Sequence, residues 1–192
     1  MNIKTFLSEY ESLDEKTIKN IETGIFKYRN IQKMFREKKF IEKDYDCEPF
    51  QKAFRGFYRV RGTQDFMDMC VTILKKNDTD IYSVLNKLSS VSKRAELAVA
   101  SKLIHTINDN SPIYDKFVAI NLELKTKNEI GLDKKIADRI IIYKELDMII
   151  KKWLLEPSIQ STLIDFSKRV DCKDISDTKK LDFILWQLRP KE

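Results

Sequence analysis

Glycine and proline are scarce in this sequence, with four of each among 192 residues. Sandwiches, barrels and propellers need many tight turns, and these two residues supply most of the special turn conformations. A long apolar run is also absent: the most apolar stretch, residues 139–155, is interrupted by five charged side chains. A membrane span needs about 20 predominantly apolar residues. We therefore expect neither a turn-rich β fold nor a membrane-spanning helix, and no membrane partner.

Histidine and cysteine, the usual ligands of zinc ions and iron–sulfur clusters, are few, since the chain has a single histidine and three cysteines. Cys47, Cys70 and Cys172 are far apart and form no C-x-x-C pair. A structural zinc ion takes four ligands, and iron–sulfur clusters are held by grouped cysteines. We therefore expect no metal and no cofactor. Acidic side chains appear from Glu9 onward, too early for a signal peptide, so the thiols are expected to be reduced, as in a cytoplasm.

Apolar residues are plentiful enough for a core, at 42% hydrophobic and 10% aromatic. The length favours one domain, and the sequence has no Gly/Ser-rich linker or repeat that would divide residues 1–192. The net charge of +6 is compatible with a nucleic-acid partner without requiring one. The composition thus predicts a soluble, cytoplasmic, single-domain protein.

Apolar side chains recur every three or four residues along nearly the whole chain, which is the spacing of one helix face. No segment has the two-residue alternation of a strand. We therefore predict an all-α fold, a compact helical domain. The predicted helices cover 14–39, about 49 to Gly62, a segment after Thr63, 81–88, 95–107, a segment from Pro112, 133–153 and a last one from Ser176 or Asp177 to Arg189 and Pro190.

Residues 88–118, LSSVSKRAELAVASKLIHTINDNSPIYDKFV, are the most informative segment. Their pattern predicts a helix, a turn at 89–92, a second helix, a polar loop at 108–111 and a helix from Pro112. This arrangement resembles the helix-hairpin-helix DNA glycosylase superfamily, as a divergent bacterial member. In that family a hairpin of the type L-P-G-V-G-x-K precedes a helix and then P-x-D-x-x-V or P-x-x-D-x-x-V. The corresponding positions here hold Leu88, Val91, Pro112, Asp115 and Val118.

The resemblance implies two helical lobes around the hairpin, a DNA partner and a catalytic carboxylate at Asp115. The residues that would contact a DNA phosphate are Ser90, Ser92, Lys93 and Arg94. Serine replaces the family's hairpin glycines, and a positive φ would cost a serine about 1 kcal/mol or more. Arg94 stands where bifunctional members carry a nucleophilic lysine, and arginine cannot form a Schiff base. Any activity would therefore be monofunctional.

A second candidate nucleic-acid surface lies in the predicted helix that follows Pro49. Arg55 and Arg59 are four residues apart and share a helix face, Arg61 follows, and Tyr58 stands among them. Cations that meet phosphates beside aromatic rings that stack on bases are typical of single-strand sites. The alternative is an amphipathic helix with its arginines in solvent, as we also expect for the basic pair at 134–135.

Asp115 and two further residues have both a functional and a structural interpretation. Asp115 either acts on a water or a developing sugar cation, or only stabilises the start of a helix. His105 and Lys102 are candidate acid/base or cleft residues. The alternatives are a satisfied interhelical histidine and a lysine whose stem crosses apolar surface.

The function we predict is DNA binding, with monofunctional base excision at Asp115 as the associated activity. The alternative is a non-catalytic helical binding module that keeps the fold, for example in a bacterial defence or mobile-element system. The missing hairpin glycines favour the alternative, and Asp115 favours the enzyme.

Overall fold

The computed structural model describes residues 1–38 and 48–188, and within these ranges every regular element is an α-helix. The predicted all-α fold is thereby confirmed. Cys47 and the predicted helix end at Arg189 and Pro190 lie outside the described residues. The helices are α1 (Ile3–Glu11), α2 (Glu15–Arg36), α3 (Glu48–Tyr58), α4 (Gln64–Lys75), α5 (Ile81–Ser92), α6 (Leu97–Ile107), α7 (Lys116–Asn121), α8 (Leu132–Leu154), α9 (Pro157–Arg169) and α10 (Asp177–Gln187).

Three predicted helix starts are confirmed by side-chain caps. Asp14, Thr63 and Ser176 precede α2, α4 and α10, and each accepts a hydrogen bond from the amide three residues later. Such a bond satisfies one of the backbone N–H groups that the first helical turn leaves without a partner. These starts depend on contacts within four residues, which explains why the sequence predicts them.

The turn predicted at residues 89–92 is wrong, because these residues form the last turn of α5. The hydroxyl groups of Ser89 and Ser90 donate to backbone carbonyls three residues earlier, at 3.1 and 2.8 Å. Serine can make such bonds within a helix, so these residues need not leave it. Lys93 instead adopts the left-handed conformation (φ 58°), and residues 93–96 connect α5 to α6. The predicted pair of helices is present, and its turn lies four residues later.

The helix predicted from Pro112 also begins later, since α7 starts at Lys116. The preceding segment is held by α6, where the amide of Tyr114 donates to Ser101 Oγ at 3.0 Å. Asp115 has extended backbone angles and is the N-cap of α7.

The end of α3 and the presence of α1 also differ from the prediction. The helix expected to close at Gly62 ends at Tyr58, and Arg59 takes the left-handed conformation (φ 53°), which glycine adopts more readily. The N-terminal helix α1 was not predicted. Its Phe6 ring packs edge-on against Trp153 of α8, with ring centroids 5.3 Å apart, and both side chains belong to the core.

The buried apolar side chains form one cluster to which all the helices α1 to α10 contribute. Helices α4, α5 and α6 pack against one another, and α8 contacts α5, α6, α9 and α10. In the ranges 1–38 and 48–188, no helix combines the length and the apolar character needed to cross a membrane.

Candidate functional site

The predicted site residues occupy three places in the fold. Lys93 and Arg94 line a basic groove, Arg55 lines a second groove of mixed charge, and Asp115 lies beside a cluster of buried charges. The structure therefore does not gather all of these residues into one site.

The basic groove, with a volume of about 540 Å³, lies between the α5–α6 connection, residues 127–129 and the first two turns of α8. Five cationic side chains line it against two carboxylates. These residues are Lys93, Arg94, Lys127, Lys135 and Arg139, with Glu96 and Glu129 as the acids. This excess of positive charge in a concave surface favours an anionic ligand.

Two helices begin beside this groove without a side-chain cap. The N-cap of α6 is Glu96, which lines the groove, and the N-cap of α8 is Gly131 (φ 93°). The start of a helix carries positive partial charge on its backbone N–H groups. The exposed Asp133 lies in the first turn of α8 and offsets part of that charge. The two helix starts add to the attraction that the five cations exert on an anion.

A buried carboxylate lies behind the groove. Asp138 is 6% exposed, accepts a hydrogen bond from the backbone amide of Lys127 at 3.2 Å and forms an ion pair with Arg139. It thereby links the segment that precedes α8 to α8 itself.

The predicted hairpin serines lie next to this groove, but their hydroxyl groups form hydrogen bonds with nearby backbone carbonyls. Ser90 Oγ donates to Lys87 O at 2.8 Å, and Ser92 Oγ donates to Arg94 O at 3.2 Å. The ammonium of Lys93 donates to Ser90 O at 2.7 Å, while its side chain remains exposed. Lys93 and Arg94 are thus the predicted hairpin residues that face the groove.

The arginines of the second candidate surface diverge. Arg55 lines a groove of about 740 Å³ together with Lys52, Lys75, Glu48 and Asp68, so the charges there nearly balance. Arg61 is exposed.

Arg59 places its guanidinium over the Trp186 ring, 5.8 Å from the centroid. Trp186, which the periodicity predicts to be core, is only half-buried. Tyr58 is 6% exposed, so its ring does not face solvent. Its hydroxyl is buried beside Thr106, but within the described residues it makes no hydrogen bond of the usual distance and angle. Burial raises the pKa of this phenol well above 10.

A buried ion pair lies within α10. Lys179 and Asp182 of α10 are joined at 2.6 Å, and the Lys179 side chain is 3% exposed. Burial raises the pKa of the Asp182 carboxyl, and Asp115 adds to that rise, while Lys179 opposes it.

Lys102 of α6 lies beside this pair and donates to Tyr58 O at 3.1 Å. Burial lowers the pKa of the Lys102 amine, and the positive charges of Lys179 and Arg59 lower it further. Asp115 and Asp182 act in the opposite direction.

Asp115 is half-buried, and its Oδ1 accepts a hydrogen bond from the Phe117 amide at 3.0 Å. The carboxylate therefore acts as a helix cap and lies within electrostatic reach of Lys102 and Asp182. Its neighbour Tyr114 is within electrostatic reach of Arg139 in the basic groove.

His105 is fully buried between two polar partners. Its Nδ1 lies 2.6 Å from Ser111 O, and its Nε2 lies 3.1 Å from the Tyr28 hydroxyl. A carbonyl oxygen can only accept, so Nδ1 carries the proton and Nε2 accepts from Tyr28. Burial lowers the pKa of His105 to about 3, and the nearby charge of Lys179 contributes. The interpretation as a satisfied interhelical histidine is supported.

Several residues of these sites were missed by the sequence reasoning. Lys135 was expected in a solvated pair, and it is exposed, but it also lines the basic groove. The sequence carried a partial signal for Lys179, because it shares a helix face with Phe183, four residues later. No local pattern distinguishes Lys127, Asp138 and Arg139 from other surface charges.

Among the residues that the structure describes, no three His, Cys, Asp or Glu side chains form a group that could hold a metal ion. No protein-family model, curated protein or solved structure matches the chain. The resemblance to the DNA glycosylase superfamily remains a prediction from residues 88–118.

Proposed function

We propose that this protein binds the phosphate backbone of DNA in the basic groove. The observation that carries the proposal is the gathering of five cations, from two separate parts of the chain, around one concave surface. Lysine and arginine supply most of the sequence-independent affinity for DNA, because each phosphate that they neutralise releases its bound counterions into solution. The uncapped starts of α6 and α8 supply further positive potential at the same place.

Base excision at Asp115 is the second candidate function. It is supported by the half-buried Asp115 carboxylate, which is within electrostatic reach of Lys102. The neighbouring Tyr114 is within electrostatic reach of the groove residue Arg139. Such a carboxylate can act on water or on a developing sugar cation. Without that chemistry, the protein is a DNA-binding module.

The salt dependence of binding tests the leading proposal. Fluorescence anisotropy with labelled duplex and single-stranded oligonucleotides, at several salt concentrations, gives log affinity against log salt. For the wild type we expect a straight line of negative slope. The slope should decrease in magnitude by about 0.9 for each phosphate contact removed from a duplex. The double variant Lys93→Ala/Arg94→Ala should therefore lose close to two such increments.

Ser90→Ala is the matched control, since Ser90 is exposed beside the same turn and its hydroxyl is bonded within its own helix. It should leave the slope unchanged. Arg55→Ala and Arg59→Ala show whether α3 and the residue that follows it also contact DNA. Binding that is absent at low salt, or independent of salt, would overturn the proposal.

A further inference from the structure

Asp138 is unusual for a groove that favours anions, because it places a buried negative charge directly behind the cations. A carboxylate buried to 6% exposure requires partners, and Asp138 has two. One is the backbone amide of Lys127, and the other is the side chain of Arg139. These partners belong to different walls of the groove.

The ion pair fixes the orientation of Arg139. Its guanidinium is planar and carries five N–H donors in a rigid arrangement. Asp138 engages the Nη1 end, and the described part of the chain shows no second acceptor for Arg139. The remaining N–H groups are available to a ligand in the groove. A guanidinium held in this way loses less conformational freedom when it binds a phosphate.

The bond to Lys127 positions the second wall. Residues 122–131 connect α7 to α8, and the Lys127 amide is attached to α8 through Asp138. A backbone held in this way determines where the side chains of Lys127 and Asn128 enter the groove.

We propose that Asp138 is a positioning residue for phosphate binding: it orients Arg139 and fixes the 127–129 wall. The inference rests on the proposed function of the groove. It predicts a change in DNA affinity opposite to the change that charge repulsion alone would produce. A negative charge that only repelled DNA would weaken binding, so its removal would strengthen binding. Removal of a positioning carboxylate weakens binding although the groove becomes more positive.

Glu129 provides a matched control for the direction of this change in affinity. It lines the same groove, carries the same charge and makes no ion pair among the described residues. Glu129→Gln should increase affinity for a duplex about twofold to threefold by reducing repulsion. Asp138→Asn makes the same change in charge and should decrease affinity about threefold to tenfold, because an oriented charge-assisted contact is lost.

Amide hydrogen exchange in the free protein separates positioning from binding. Exchange at Lys127 should be faster in Asp138→Asn than in the wild type, and unchanged in Glu129→Gln. If Asp138→Asn does not fold, Arg139→Lys replaces it as the test, because it keeps the charge and removes the planar fork. Arg139→Lys should bind more weakly than the wild type, whereas Lys135→Arg should not.

The outcomes distinguish this inference from the proposed function. A wild-type protein without salt-dependent binding overturns both. If the wild type binds DNA and both Asp138→Asn and Glu129→Gln change its affinity in the same direction, only the inference is overturned. Unchanged exchange at Lys127, or Arg139→Lys binding like the wild type, overturns it as well.

Discussion

Lys179 and Asp182 form an ion pair in the interior of the molecule, with Nζ 2.6 Å from Oδ2. Four aromatic rings surround the ammonium, at 4.5 to 5.8 Å from their centroids: Phe183, Tyr28, Phe57 and Tyr58. The faces of aromatic rings attract a cation, most strongly where water is excluded. The pair and its rings connect α10 to α2 and α3.

We expect the loss of one partner of this pair to be severely destabilising. Lys179→Met leaves the Asp182 carboxylate buried without its cation, and breaking a buried pair in this way costs about 3–5 kcal/mol. The double variant Lys179→Met/Asp182→Asn removes both charges and should recover part of that loss. Urea unfolding of the wild type, the two single variants and the double variant measures this coupling.

The Asp147–Lys151 pair of α8 is the control. Its atoms are 2.6 Å apart, but the Lys151 and Asp147 side chains are 70% and 30% exposed. Such pairs contribute about 0–1 kcal/mol, so Lys151→Met should have a small effect. Equal losses for Lys179→Met and Lys151→Met would contradict the importance of burial at Lys179.

The low pKa of His105 predicts that stability decreases in mild acid. The unfolded chain binds a proton near the ordinary histidine pKa of 6.5, whereas the folded protein does so only at about 3. The contribution of the neutral ring is therefore complete above pH 6.5 and is lost as the pH falls toward 3. At pH 5 the loss is about 2 kcal/mol relative to pH 7.5. Denaturant unfolding at a series of pH values measures it.

His105→Gln separates this contribution from those of the carboxylates. The variant will be less stable at neutral pH, because it disturbs the bonds to Ser111 and Tyr28. Its free energy of unfolding should nevertheless change less between pH 7.5 and pH 5 than that of the wild type. Parallel pH profiles for the two proteins would show that His105 does not titrate as described.

Local interactions explain which parts of the fold were predictable. The caps Asp14, Thr63 and Ser176 act within four residues, so the sequence contains all of their partners. The start of α7 depends instead on a bond from the Tyr114 amide to Ser101 Oγ, thirteen residues away. Helical periodicity cannot show that contact, and Pro112 alone suggests an earlier helix start.

The candidate site was predictable only in part for the same reason. Lys93 and Arg94 follow from the predicted turn between two helices, although that turn lies four residues later than expected. Their partners in the groove, Lys135 and Arg139, come from a helix about forty residues further along the chain. The burial of Lys179 depends on which face of α10 meets α2, and spacing alone does not determine this.

Asp115 has two roles that the structure makes separable. Its carboxylate caps α7 by accepting from the Phe117 amide, and it also contributes to the electrostatics of Lys102 and Asp182. Asparagine is as good an N-cap as aspartate, whereas alanine is not. Asp115→Asn therefore retains the cap while it removes the charge and the basicity.

We expect Asp115→Asn to keep the melting temperature within a few degrees of the wild type and to bind DNA almost unchanged. If the carboxylate is catalytic, the variant should release no base from a panel of damaged-base oligonucleotides on which the wild type is active. Asp115→Ala should lose both the activity and about 1 kcal/mol of stability, since it also removes the cap. Suppose that the wild type binds DNA but releases no base from any oligonucleotide, while only Asp115→Ala loses stability. Asp115 then serves as a helix cap, and the protein is a DNA-binding module without excision activity.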